Sequence, residues 1–180
     1  MMDTRFNAIS MNGRMAYVIM CVEKYLTSAY PNRDWTLLAE KLWAATSTNW
    51  SDWPEMYSNY IPDVLFQYDS YDKELSSGMT LSEYTEIENL YHGITEGRED
   101  DSEDSVNFIL NKPFEMASVY EGTIIGDGSE SLGIISETES ILLKHNISLP
   151  DYHSVAFSKF TERNGWGNDF DGRKLSIILN

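Results

Sequence analysis

Gly13-Arg-Met-Ala-Tyr-Val-Ile-Met-Cys-Val-Glu-Lys-Tyr-Leu-Thr-Ser-Ala-Tyr30 is the stretch that decides the fold. Met15, Val18, Ile19, Val22, Leu26 and Ala29 recur at the i, i+3, i+4, i+7 spacing that lines one face of an α-helix, and Pro31 stops it. Tyr17, Met20, Cys21 and Tyr25 widen the stripe, which predicts a helix buried on most sides and therefore central. Its apolar run, Met15 to Val22, is eight residues long, against the roughly 18 of a membrane span. Glu23 and Lys24 follow at once and no small-x-small cleavage site appears, so neither a span nor an export signal is expected.

Downstream, Asn32 is in place to cap a second helix carrying Trp35, Leu38, Ala39, Leu42 and Ala45, with Asp34 in its first turn. Asp52 and Glu55 have the spacing of an acidic capping box, with Pro54 early in the helix where its missing N–H costs little. That helix carries Met56, Tyr57 and Tyr60, breaks near Pro62 and resumes over Val64, Leu65 and Tyr68. Asp69 to Met79 reads as a loop. Thr80 and Glu83 then form a capping box for a helix with Leu81, Tyr84, Ile87, Leu90, Tyr91 and Ile94 inward.

After the acidic linker Glu96 to Asp104, Val106, Ile109, Leu110, Pro113, Phe114 and Ala117 keep helical spacing through a kink expected at Pro113. Gly126-Asp-Gly128 is a turn, and a helix from Ser129 or Ser131 carries Ile134, Ile135, Ile141 and Leu142 to Lys144 and His145. Asp151 to Phe160 reads as a short helix, Asn164 to Gly172 as turns, and Lys174 to Leu179 as a single strand whose one candidate partner is Thr123 to Ile125. The expected fold is mainly α. It is an irregular bundle of six or seven helices in one domain spanning residues 1–180, with acidic loops at 67–79 and 96–104, a turn-rich appendage at 161–180 and at most one minor β pair.

A chain of 180 residues with 5 Trp, 11 Tyr and 7 Phe buries enough apolar area to fold without a disulfide or metal. Its single cysteine, Cys21, excludes an intrachain disulfide and points to a reducing, cytoplasmic setting, where the sequons Asn49-Trp-Ser51 and Asn146-Ile-Ser148 are chance matches. The formal charge is −16, and twelve acids between Gln67 and Asp104 face only Lys73 and Arg98. Such a field repels nucleic acid and anionic membranes and attracts basic proteins; taken alone, it equally serves solubility.

Catalytic motifs are absent from the sequence. His92, His145 and His153 stand in no zinc-binding pattern, there is no C-x-x-C, and Cys21 lies on an apolar helix face like a small core residue. Asp169-Phe-Asp171-Gly172 holds part of a calcium-loop pattern. With Gly172 at the sixth position, however, the first falls on Gly167 and the twelfth on Ile178, so both essential carboxylates are missing. Phosphate-binding glycine loops and serine elbows are likewise missing. Close carboxylate pairs arise by chance among 29 acids and do not by themselves indicate acid–base catalysis. No cofactor or metal is expected, and the chain reads as a binding protein.

The stretch Tyr17 to Pro62, with Glu23-Lys24-Tyr25-Leu26, Trp35, Glu40-Lys41-Leu42-Trp43 and Ile61-Pro62, resembles the mostly helical predicted immunity proteins of bacterial polymorphic-toxin and contact-dependent growth inhibition systems. The resemblance implies a cytoplasmic protein that neutralises a cognate toxin C-terminal domain by tight binding, many such toxins being nucleases with basic active sites. The contact residues expected on that basis are Asp69, Asp72, Glu74, Glu99, Asp100, Asp101, Glu103 and Asp104, with Tyr71 and Trp166 as aromatic anchors. An acidic regulatory or scaffold protein, and an enzyme using scattered carboxylates, are the alternatives.

Overall fold

Ser10 opens the central helix: its hydroxyl accepts the Gly13 N–H at 3.1 Å, which satisfies one of the donors a helix start leaves free. The computed structural model describes residues 4–48, 50–68, 70–76, 78–95, 106–120 and 125–180. Among these lie seven α-helices: α1 (Met11–Ala29), α2 (Thr36–Trp43), α3 (Trp53–Ser58), α4 (Pro62–Leu65), α5 (Leu81–Tyr91), α6 (Val106–Tyr120) and α7 (Ser129–Lys144). Short 3-10 turns, among them Tyr152–Val155, Arg163–Gly165 and Gly172–Leu175, shape the C-terminal part. The mainly helical, irregular bundle expected from periodicity is what forms.

Every residue of α1 from Met11 to Ile19 is buried, and so are Cys21, Val22, Glu23, Tyr25 and Leu26. A helix this apolar all round requires neighbours on every side, and α1 packs against α7, α6 and α2, with the Tyr152–Val155 and Gly172–Leu175 turns closing the remainder. Ala29, expected on the buried stripe, is exposed because the helix has by then emerged from the bundle. Tyr17 ties α1 to α7 by donating to Glu139 Oε1 at 2.6 Å, and Glu139 also pairs with Arg5 at 3.0 Å.

Several helix starts differ from expectation. α2 begins at Thr36, too far along the chain for Asn32 to cap it; Trp35 holds the cap position without a side-chain cap bond, and the Asp34 carboxylate just before it accepts the Thr36 N–H at 3.0 Å. Asp52 precedes α3 without making a cap bond, and α3 is held by burial of Trp53 and Tyr57, whose rings stack at 4.6 Å. The Thr80–Glu83 capping box forms in both directions, with Glu83 N–H to Thr80 Oγ1 at 3.2 Å and Thr80 N–H to Glu83 Oε2 at 2.8 Å. Leu81, expected to face inward, is 59% exposed, since α5 buries Tyr84, Ile87, Leu90 and Tyr91 and position 81 lies outside that stripe. α6 runs unbroken through Pro113.

The strand expected at Lys174–Leu179 is replaced by the Gly172–Leu175 turn and a Ser176 hydroxyl that accepts the N–H groups of Ile178 and Leu179 at 3.2 and 3.0 Å. A lone strand would leave these donors unpaired, and of its proposed partner only Ile125 is among the described residues. Among the described residues the one β contact is an isolated antiparallel bridge between Ile9 and Lys159.

Residues 161–180 are irregular yet seated in the body of the protein, which an appendage would not be. Trp166 C=O accepts the Asn12 N–H at 3.0 Å, and Thr46 Oγ1 accepts the Gly172 N–H at 3.1 Å. The buried Glu23 carboxylate accepts from Trp43 Nε1 at 2.8 Å, from the Ser176 hydroxyl at 2.5 Å and from the Ile177 N–H at 2.8 Å. Burial raises the Glu23 pKa, and those three donors only partly offset it.

A second buried charge, Arg14, lies beneath the opposite end of α1. Its Nε donates to the carbonyls of Phe6 and Ile9 at 3.2 and 3.0 Å, and Nη1 donates to Gly128 C=O and Ser131 Oγ, each at 2.7 Å. The guanidinium also lies 4.9 Å from the Phe160 ring centroid, so one side chain joins α1, the start of α7 and the C-terminal segment.

Candidate binding surface

Between Ser51 and Asp104 the sequence holds fifteen acids and two bases, a net −13 out of −16 for the whole chain. α3, α4, the 70–76 turn and α5 form the described part of this segment. Asp52, Glu55, Asp63, Asp72, Glu74, Glu86 and Glu88 are all exposed there. Helical phase accounts for α5: burying Tyr84, Ile87 and Leu90 turns Leu81, Ser82, Thr85, Glu86, Glu88 and Asn89 outward.

Two bases border this face, and both are occupied. Lys41 on α2 reaches across to Glu83 with Nζ–Oε1 at 2.6 Å and lies 5.1 Å from the Tyr60 ring centroid. Burial would raise the Glu83 carboxyl, but hydrogen bonds from Lys41 and Thr80 outweigh it and hold the pKa at about 2. Arg33 donates to the backbone carbonyls of Asn89 and His92 at 3.3 and 2.8 Å, beside the C-terminal end of α5. Among the described residues, Asp63, Glu74, Glu86 and Glu88 form no ion pair, so their charge is not cancelled by a neighbour.

Of the residues proposed from sequence, Tyr71, Asp72 and Glu74 fall on this face. Asp72 Oδ1 accepts the N–H groups of Glu74 and Leu75 at 2.8 and 3.3 Å, which fixes the turn and presents Glu74 to solvent. Tyr71 is half-buried, its hydroxyl donating to Met79 C=O at 3.0 Å and its ring edge-on to Tyr84 at 5.7 Å. Asp69, Glu99, Asp100, Asp101, Glu103 and Asp104 lie outside the described residues.

Trp166 belongs to a different part of the molecule. Half-buried, it meets Trp50 edge-to-face at 5.1 Å beside the start of α1, and none of its hydrogen bonds or ring contacts involves residues 70–76. Asp63, Glu86 and Glu88 were not singled out from sequence, although the inward stripe Tyr84, Ile87, Leu90 already implies that Glu86 and Glu88 face outward.

Among the described residues no group of three or more His, Cys, Asp and Glu converges to hold a metal ion, and no helix is long and apolar enough to cross a membrane. Compared with known protein families, curated proteins and solved structures, the chain matches none.

Proposed function

We propose that this chain is a bacterial immunity protein that neutralises a cognate toxin domain by covering it with the acidic face built from α4, the 70–76 turn and α5. The observation that carries this reading is the concentration of exposed, unpaired carboxylates there: Asp63, Glu74, Glu86 and Glu88 stand in water with Lys73 as the one base between Ser51 and Thr95. Such a surface is complementary to a basic, phosphate-binding active site and would occupy it as a nucleic acid backbone does, with electrostatic steering speeding the encounter. The resemblance of Tyr17 to Pro62 to predicted immunity proteins supports the same reading. The protein acts by binding, not by turnover, in the cytoplasm where its toxin would otherwise act.

The reading requires a large toxin gene immediately upstream of the one for this chain, and the test is co-expression with the C-terminal domain that such a gene encodes. The two should co-elute and the cells survive. Association should weaken as salt rises from about 0.1 M to about 1 M, where the screening length falls from roughly 10 to 3 Å. Failure both to co-elute and to protect would end this reading.

A further inference from the structure

Two Asn-Gly dipeptides stand in the chain, Asn12-Gly13 and Asn164-Gly165, and the fold sets them in opposite environments although it brings them close together. The dipeptide matters because glycine has no Cβ to hinder its own nitrogen from reaching the side-chain amide of the asparagine before it. That nitrogen can attack Asn Cγ: a new C–N bond forms, the Cγ–NH2 bond breaks, and the proton of the attacking N–H departs with the amide nitrogen as ammonia. Water then opens the resulting succinimide. Opening at Cγ gives aspartate, and opening at the backbone carbonyl carbon gives isoaspartate, whose main chain runs through Cβ.

At Asn12 the fold opposes each requirement. The residue lies in the first turn of α1 and is 5% exposed, with its side-chain amide donating to Asn168 C=O at 3.5 Å. The attacking nitrogen, on Gly13, donates to Ser10 Oγ at 3.1 Å. Since α1 is packed on every side, ring closure there waits on unfolding of the central helix.

Asn164 differs on each count. It is exposed, and among the described residues its side chain makes no hydrogen bond. Arg163, Asn164 and Gly165 form a run of left-handed residues with φ of +44°, +56° and +96°, a conformation that glycine and asparagine enter but that strains Arg163. One bond restrains the attacking nitrogen, from the Gly165 N–H to Glu162 C=O at 3.1 Å in a surface turn, so a local opening suffices to release it.

The same turn seats the C-terminal segment. Glu162 C=O also accepts the Gly167 N–H at 3.0 Å, and Trp166 C=O accepts the Asn12 N–H at 3.0 Å at the start of α1. Gly167 fits against Ser10 so closely that a Cβ would collide with it, which leaves no slack for a longer backbone. Isoaspartate at position 164 inserts one extra main-chain atom before Gly165. It also frees a carboxylate in a turn that already carries Glu162 and the Arg163–Asp169 pair.

We infer that Asn164 is a self-modification site: it deamidates in the folded protein through a succinimide with Gly165, and the isoaspartate product loosens residues 162–167 from the start of α1. The step needs only water as co-reactant and is independent of the acidic-surface reading.

The test ages the full chain in mildly alkaline buffer, folded and in urea, and follows both dipeptides by peptide mass spectrometry and enzymatic methylation of isoaspartate. In urea the two sites should convert at comparable rates. In the folded chain Asn164 should convert at least about tenfold faster than Asn12, because a surface turn opens more often than the central helix. Ageing should also speed hydrogen exchange of the Asn12 backbone amide by at least about threefold. Asn164→Gly, which accepts the left-handed backbone and has no amide to lose, should show no such change on the same ageing. Equal conversion of the two sites in the folded chain, or conversion of neither while the unfolded chain is modified, would overturn the site. Unchanged exchange at Asn12 in the aged parent would overturn its link to the C-terminal seat.

Discussion

α1 and the C-terminal segment meet through polar groups withdrawn from water, whereas α4, the 70–76 turn and α5 keep theirs in it, and the two regions handle charge in opposite ways. On the first side, Glu23 and Arg14 are both fully buried, and each is surrounded by partners from distant parts of the chain. On the second, Asp63, Glu74, Glu86 and Glu88 are exposed and form no ion pair, with Lys73 the one base in the sequence between Ser51 and Thr95. The buried arrangement makes the fold unique, because every partner of a desolvated charge must be in place. The exposed one destabilises the compact state slightly by self-repulsion, and the cost is retained where a partner can relieve it. The division is what the proposed function rests on, with one region as scaffold and the other as the proposed contact surface.

The comparison breaks most visibly at Arg14. Arg14→Ala removes the guanidinium's bonds to the carbonyls of Phe6, Ile9 and Gly128 and to Ser131 Oγ, empties a fully buried site, and should lower unfolding stability by about 4 kcal/mol in urea titrations. Gly167→Ala should follow at about 3 kcal/mol. Its φ is +77°, and an added Cβ would run into the Ser10 side chain at the start of α1, so conformational strain and overpacking combine. An Arg14 variant that melted like the parent would remove the buried charge from the scaffold, and a Gly167 variant that did so would remove the C-terminal segment from it.

Two carboxylates sharpen the contrast because pH acts on them with opposite sign. Glu23 is raised on folding, so its contribution is complete below the ordinary carboxylate range and is lost as pH rises through its elevated pKa. Glu83 is lowered to about 2, so its contribution is complete above the ordinary range and is lost as pH falls towards about 2. Glu23→Gln should therefore remove the decline on the alkaline side of the stability profile. Glu83→Gln should remove part of the acid-side loss and cost about 1 kcal/mol near neutrality, through the Lys41 pair and half of the capping box. Identical profiles for the two variants would contradict this assignment.

How much of this was legible in the sequence follows from the range of each interaction. Local patterns read correctly: the α1 stripe, the Thr80–Glu83 box three residues apart, and the Gly128 to Ser129 start of α7 all depend on neighbours along the chain. What misled was remote. Ser176 meets Glu23 across 153 residues, and that bond, with the turn preceding it, is why Lys174 to Leu179 is no strand. Asn32 is a good cap residue by type, and only the position at which α2 begins, with Trp35 at its cap, takes it out of reach. For the binding surface, composition placed the acids but not the relief around them. Tyr71 and Trp166 looked equally suitable as anchors, yet Tyr71 braces Tyr84 and Trp166 packs on Trp50, while Tyr68 and Leu75 are the side chains left facing water beside the acids.

The smallest effect on stability should belong to the acidic face itself, and there the central claim is most directly exposed. Glu86→Lys with Glu88→Lys should leave the urea midpoint within about 0.5 kcal/mol, as surface changes away from specific contacts do. The decisive measurement is the affinity of this double variant for the cognate toxin domain beside that of Asp151→Lys with Asp169→Lys, an equal change in net charge placed on the exposed C-terminal side. The first pair should bind at least about tenfold more weakly with a shallower salt dependence, and the second should lose less than about twofold. Equal losses for the two pairs, or none for the first, would contradict the central claim.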